Sequence, residues 1–288
     1  MKKIDIHIHT SKDSGHKING QELINKDQMI KSMAKRGVDK SVLMSSSAKE
    51  SDLLSNDELR QICQDSDRFY YMSMVDFEKD IYEQLKREKD LGSIGVGELV
   101  YNKPFNSPEI FELLEAAESL EMPVLFHMSP QIGKYYGVYD LKGLPYLEEA
   151  LNRFKNLIFI GHSQAFWCEI SKYDDNDPSY RDSYPEGPVV EGRIGELMRK
   201  YPNLYADLSA NSGANAIMRD KDYGISFIKE FSDRLFFGTD TYNKDQEFPL
   251  DAYLEKLGQE GLIEKEELEK IYYKNFERVF KIKEKQGC

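Results

Sequence analysis

The stretch Ile4-Asp5-Ile6-His7-Ile8-His9 opens the chain and decides how the rest is read. β-Branched isoleucine alternates with polar residues at period two, the pattern of a short strand. Strict alternation predicts Ile4, Ile6 and Ile8 on one face, and Asp5, His7 and His9 on the other. Two imidazoles two residues apart on one strand face lie about 6–7 Å apart, near enough to grip one metal ion. The chain has only five histidines. An aligned pair beside an aspartate therefore asks whether the missing ligands come from further along.

Outward from this strand the chain repeats one rhythm. A polar loop (10–21) carries His16, which reads either as a solvated residue or as part of a pocket mouth. Apolar residues at helical spacing predict a helix over 22–36. Further strands are predicted at 40–44, 69–75, 94–99, 123–127, 157–162, 203–208 and 234–240. Helical patterns lie between them, among others at 52–65, up to residue 90, at 108–120 and at 144–154. Eight strands alternating with helices predict an α/β protein, a (β/α)₈ TIM barrel. An open doubly wound sheet would normally carry a glycine-rich phosphate loop after its first strand, and none is present. No low-complexity linker interrupts the pattern, so residues 1–288 read as a single domain.

One connection breaks the rhythm. Nearly thirty residues, about 163–190, separate His162 from the next helical pattern. A loop that long is usually functional or disordered, and it leaves the end of strand six on which barrel enzymes work. It reads as a lid or pocket wall with Trp167 among its contact residues; a surface excursion is the alternative.

Composition sets the outer bounds. Hydrophobic content of 40% and charged content of 31% are those of a globular protein, and the net charge is −12. Such a surface repels nucleic acid and anionic membranes. Cys63, Cys168 and Cys288 show no CxxC spacing, which fits a reducing compartment. With no signal-peptide or membrane-span pattern, a cytoplasmic location is expected. The implied partner is a small-molecule substrate, and a homo-oligomer remains open.

The ionisable residues fall at the predicted strand ends: Glu98 on strand four, His127 on five, His162 on six and Asp240 on eight. Buried parallel strands are almost wholly apolar, so polar residues there need a reason. Singly each has a plain one. Glu98 could pair with a lysine, His127 could bond a backbone carbonyl, and Asp240 could cap a helix. Together with His7 and His9 they form a set of imidazoles and carboxylates suited to Zn²⁺, and also to Mn²⁺, Fe²⁺ or Ni²⁺. Without a cysteine in the set, this is not a closed structural zinc site.

Asp5-x-His7-x-His9, Gly97-Glu98, His127 after Pro-Val-Leu-Phe, Gly161-His162 and Gly238-Thr239-Asp240, in this order, resemble the amidohydrolase superfamily. The likeness is greatest to its amidohydrolase-related branch of barrel metal-dependent hydrolases, and the tail around Asn275 is similar to that branch's closing helix. The resemblance implies that His7, His9 and Asp240 hold one divalent ion. His127 and His162 either hold a second, or His127 binds the single ion while His162 acts on substrate or water. The family's bridging carboxylated lysine has no counterpart; Glu98 stands in its place, as in TatD-like nucleases.

The implied chemistry is hydrolysis of an ester, lactone or amide by a metal-activated water, with Asp240 moving the proton. Asp5, on the predicted face of His7, is a candidate partner for that residue. The main alternative is a single-metal decarboxylase, although such enzymes usually carry Glu-x-His-x-His; an inactive metal-binding barrel is a third reading. Six candidate ligands exceed the needs of one catalytic ion. The set therefore predicts two, one on His7, His9, Glu98 and Asp240 and the other on Glu98, His127 and His162. Tyr101, Ser129, Trp167 and Arg181 are candidates for pocket residues by position alone.

Overall fold

The computed structural model describes residues 1–11, 17–18, 21–45, 54–174 and 177–282, so His16 lies outside the described residues. Eight strands form its centre: β1 (Ile4–Ile8), β2 (Lys40–Met44), β3 (Phe69–Met72), β4 (Val96–Leu99), β5 (Val124–Ser129), β6 (Phe159–His162), β7 (Leu204–Asp207) and β8 (Leu235–Phe236). They pair in parallel in chain order, β1 to β3 in one sheet and β4 to β8 in another. Parallel bridges Ser73–Val96 and Ile8–Thr241 join the two sheets at both seams. The amide of Ser73 donates to Gly95 O at 2.9 Å, and that of His9 to Thr241 O at 2.9 Å. The ring is closed, and the architecture is the expected (β/α)₈ barrel.

Helices α1 (Lys26–Arg36), α2 (Asn56–Asp65), α3 (Ile81–Asp90), α4 (Pro108–Ser119) and α5 (Pro145–Arg153) follow the first five strands. The start of α1 is four residues later than its apolar spacing predicts, because Asn25 caps it. Its side chain accepts from Gln28 N at 3.0 Å while the Gln28 side chain accepts from Asn25 N at 2.9 Å. This reciprocal cap satisfies two otherwise orphaned amides and fixes where the helix begins.

Inside the barrel lies an apolar plug of Ile4, Ile6, Val42, Met44, Met72, Leu125, Ile160, Tyr205 and Phe236. Phe276 and Val279, from the tail helix Asn275–Val279, close it at the N-terminal end of the strands. Asn275 fastens that helix, its Nδ2 donating to Ser232 O at 2.7 Å and to Leu235 O at 2.8 Å. The second core layer, between strands and helices, includes Ile8, Leu43, Val96, Leu99 and Phe126.

Two strands depart from strict alternation, and the departure places the polar groups. Between Asp5 and Ile8 the β1 register advances three residues while β2 advances two, from Ser41 to Leu43. Between Val96 and Leu99, β4 does the same against Val124 and Phe126 of β5. Each is a bulge, one extra residue that bends the strand and re-aims the side chains beyond it. In β1 the result is Ile6 and His7 both facing inward, with Asp5 and Ile8 facing α1 beside Met29, Met33 and Arg36. The predicted shared face of Asp5, His7 and His9 is therefore incorrect for Asp5.

The connection after β6 begins with a turn back into the core. Ser163 Oγ donates to Met128 O at 2.8 Å, and α6 (Gln164–Cys168) is buried along most of its length. Trp167 is a core residue whose Nε1 donates to Asp207 O at 2.9 Å. The expectation that it faces the pocket is wrong. Gly161 makes this possible, since a Cβ there would lie 2.2 Å from the Phe166 ring.

Candidate metal centre

The upper ends of β1, β4, β5, β6 and β7, with Asp240 beyond β8, converge above the apolar plug. The structure brings together all six of His7, His9, Glu98, His127, His162 and Asp240. His7 Nε2 lies 3.1 Å from His9 Nε2. Glu98 Oε2 is 3.6 Å from His7 Nε2 and 3.4 Å from His9 Nε2. Asp240 Oδ1 stands 3.6 Å and 3.3 Å from the same two nitrogens. The other oxygens turn the opposite way: Glu98 Oε1 to His127 Nδ1 at 2.7 Å and His162 Nε2 at 3.8 Å, and Asp240 Oδ2 to His162 Nε2 at 3.8 Å.

These separations fit a coordination shell. Donors about 2.1 Å from a tetrahedral ion are about 3.4 Å from one another. Nitrogens and carboxylate oxygens converging at this spacing suit a borderline divalent cation. The subsets His7, His9, Asp240 and His7, Glu98, His162 each bring three donor atoms within 4.8 Å of one another.

One carboxylate that the motif reading leaves without a role organises the rings. Asp207, at the end of β7 and fully buried, has Oδ2 2.8 Å from His7 Nδ1 and 3.2 Å from His162 Nδ1. Ser209 Oγ donates to the same oxygen at 2.6 Å and lies 3.0 Å from His162 Nδ1. Burial works against charge on Asp207, but bonds from His162 and His7 outweigh it and hold the carboxyl well below its usual range. An ionised carboxylate only accepts, so His7 directs Nδ1–H at Asp207 and His162 directs its own toward Ser209 Oγ and Asp207, which turns both Nε2 atoms to the centre. Gly238 leaves room for it, since a Cβ there would lie 2.6 Å from Asp207 Oδ1. The signal available in sequence is the one that marks Asp240, an acid ending an apolar strand.

Asp5 acts on the backbone. Its Oδ1 accepts from Thr239 N at 2.9 Å and His7 N at 3.1 Å, and its Oδ2 from Thr239 Oγ1 at 2.6 Å. It thus ties β1 to the segment that carries Asp240, and burial pushes its pKa up to about 7.

The electrostatics follow from crowding. Burial opposes charge on His7, but Asp240, Asp207 and Glu98 outweigh it and raise its pKa well above 6.5. Glu98 is well below its usual 4.5: burial opposes ionisation, and His127 and His7 overcome it. His127 is lowered by burial, only partly offset by Glu98. Asp240, whose ionisation burial also opposes, is lowered by His7, His9 and His162. Its side chain is 22% exposed, against 8% for Glu98 and none for His7, so it is the most exposed member of the cluster.

A cavity of about 1340 Å³ opens above the cluster, lined by His9, Glu98, His127, His162 and Asp240 at its base and by Tyr136, Gln164, Tyr184 and Tyr242 among its walls. Gln164 and Tyr184 come from the long connection after β6, so that segment does form pocket wall. The other positional candidates do not line the cavity. Tyr101 stacks on Phe77 at 3.9 Å, Ser129 Oγ donates to Gln131 O at 2.7 Å, and buried Arg181 donates to Asp140 O at 2.8 Å.

A family model described as Amidohydrolase matches residues 4–282. The chain belongs to the amidohydrolase family. Among curated proteins, no sequence matches this amidohydrolase-family chain.

Solved structures share its fold at low identity. A probable 2-pyrone-4,6-dicarboxylic acid hydrolase from Acinetobacter baumannii, with citric acid bound, is 18% identical with a TM-score of 0.60, covering 98% of this chain and 100% of its own. A 2,6-dihydroxybenzoate decarboxylase from Rhizobium is 17% identical with a TM-score of 0.59, covering 97% and 98%. A dihydroxybenzoic acid decarboxylase from Polaromonas sp. JS666, with manganese and the inhibitor 2-nitroresorcinol bound, is 15% identical with a TM-score of 0.61, covering 97% of each chain. At this identity the likeness is one of fold.

Proposed function

We propose that this chain is a metal-dependent hydrolase of a small-molecule ester, lactone or amide. The observation that carries the reading is the split of Glu98. Its Oε2 faces His7 and His9 while its Oε1 faces His127 and His162. A carboxylate with one oxygen toward each nitrogen pair suits two cations, because it supplies the negative charge that keeps them from repelling apart. His7, His9, Glu98 and Asp240 would hold one ion, and Glu98, His127 and His162 the other. Zn²⁺ fits this donor set, and Mn²⁺, Fe²⁺ or Ni²⁺ would serve. A bound divalent cation lowers the pKa of a coordinated water toward about 7 and polarises a scissile carbonyl.

The chain's own groups do the rest. Asp240, ionised and open to the cavity, takes the proton of the attacking water at a carboxylate oxygen and returns it to the leaving oxygen or nitrogen. His162, fixed through Nδ1 by Asp207 and Ser209, presents Nε2 to the same space. The cavity walls orient the substrate, and the apolar plug beneath keeps bulk water from entering by the other end of the barrel. The acidic surface and the simple cysteine pattern are consistent with a cytoplasmic enzyme acting on small molecules.

Decarboxylation of a small carboxylic acid is the second reading, favoured by the decarboxylases among the fold neighbours. One experiment separates them. Protein loaded with Zn²⁺ or Mn²⁺ is screened against esters, lactones and anilides for acid release, and against aromatic acids for CO₂ release. Acid release without CO₂ supports hydrolysis; CO₂ release alone transfers the reading to decarboxylation.

A further inference from the structure

The cavity wall beside His127 is aromatic. The ring centroid of Tyr136 lies 4.3 Å from that of His127. Tyr136 is 63% exposed, and Tyr184, which lines the same cavity from the loop after β6, is 45% exposed. Single exposed rings are commonplace. Two rings from separate loops on one cavity above a polar cluster make the kind of apolar surface that marks a ligand groove.

The loop bearing Tyr136 is held firmly. Asn102 Oδ1 accepts from Gly133 N at 2.6 Å, and its Nδ2 donates to Gly137 O at 2.8 Å and Gln131 O at 3.3 Å. Gly137 has φ 102°, a conformation that glycine alone adopts easily, and a Cβ there would lie 2.6 Å from His127 O. One amide thus fastens both ends of the loop, and the loop rests directly on His127. Ordering of this kind is the preorganisation that a binding residue needs.

The Tyr136 hydroxyl has no hydrogen-bond partner among the described residues.

We propose that Tyr136 contacts the substrate: its hydroxyl donates to an acceptor oxygen, and the flat portion of the substrate that bears it lies between Tyr136 and Tyr184. This deepens the hydrolase reading and rests on it for the bond that is cleaved. The substrate class is an aryl or cyclic ester, lactone or anilide carrying an acceptor oxygen.

The test uses the full-length Zn²⁺-loaded protein and the variants Tyr136→Phe, Tyr136→Leu and Tyr135→Phe, the last being a control because Tyr135 is not on the cavity wall. Phenyl acetate, dihydrocoumarin and ethyl acetate serve as substrates, and benzohydroxamate binding is measured by calorimetry. Loss of one neutral hydrogen bond predicts a fall of about tenfold in Tyr136→Phe, in kcat/KM for the flat esters or in benzohydroxamate affinity. Metal content and melting temperature should not change. Tyr136→Leu should also lose the preference for phenyl over ethyl acetate, and Tyr135→Phe should match the wild type. A Tyr136→Phe protein equal to the wild type in both turnover and hydroxamate affinity overturns the proposal and leaves the hydrolase reading standing. Hydroxamate binding that depends on Tyr136, with no ester cleaved, overturns only the hydrolase reading. A wild type that neither cleaves nor binds overturns both.

Discussion

Asp207 Oδ2 sits 2.8 Å from His7 Nδ1, and the same oxygen lies 3.2 Å from His162 Nδ1, so one buried carboxylate aims two imidazoles at the cavity floor. Asparagine keeps the shape but offers one acceptor oxygen without charge, and its amide would face a ring N–H. Asp207→Asn should weaken metal affinity by about 10- to 100-fold, the usual cost of losing such a partner. Competition against a chelator of known affinity measures this. An unchanged dissociation constant would show that the rings are aimed by packing alone.

Glu98→Gln tests the shared carboxylate. Wild-type protein loaded with excess Zn²⁺ and desalted should retain two ions per chain, and the variant one or fewer. Plasma emission spectrometry counts them. A single ion in both proteins would remove the bridge and favour the one-metal decarboxylase.

Metal uptake should expel protons. His7 has its pKa raised well above 6.5, since Asp240, Asp207 and Glu98 outweigh the burial that opposes its charge. A raised pKa means that the metal-free protein holds this proton at pH 7, and a cation must displace it. Affinity should therefore climb with pH throughout the range below that raised value and level off above it. Calorimetry in two buffers of different ionisation enthalpy should report release of about one proton or more per chain at pH 7. No release would mean that His7 is already neutral.

Gly161→Ala tests the turn that buries α6. The added Cβ would meet the Phe166 ring at 2.2 Å, far inside contact distance. Overpacking of this kind costs about 1–3 kcal/mol, which thermal unfolding would register as a lower melting temperature. Phe166→Leu in the same chain should recover part of the loss, because the two residues share one space. Simple additivity of the two substitutions would place the strain elsewhere.

The barrel was legible because its strands are short apolar runs at βαβ spacing. The six converging residues were legible because each is polar where such a run ends. Asp207 obeys that rule as well as Asp240 does. Its role lies in ring orientation, however, which no spacing along the chain encodes. Asp5 was misplaced for a different reason: Ile-Asp-Ile-His carries no glycine or proline to announce a bulge, so alternation looks unbroken. Trp167 was misplaced because its neighbours further on are polar. The deciding residue is Gly161 on the preceding strand, whose missing side chain lets Phe166 fold beneath the loop.

The bulges in β1 and β4 amount to a change of parity. Below the extra residue, even-numbered Ile4 and Ile6 point into the barrel; above it, odd-numbered His7 and His9 do. In β4 the switch runs from Gly97 to Glu98. Each strand is thereby two half-strands keyed independently, one to the plug and one to the cavity floor. Regular alternation from Asp5 to Ile8, with the sequence unchanged and no residue bulged out, would put both halves on one count. Either the isoleucines or the imidazoles would then face the helices, and the fold could keep its stable base or its chemistry but not both.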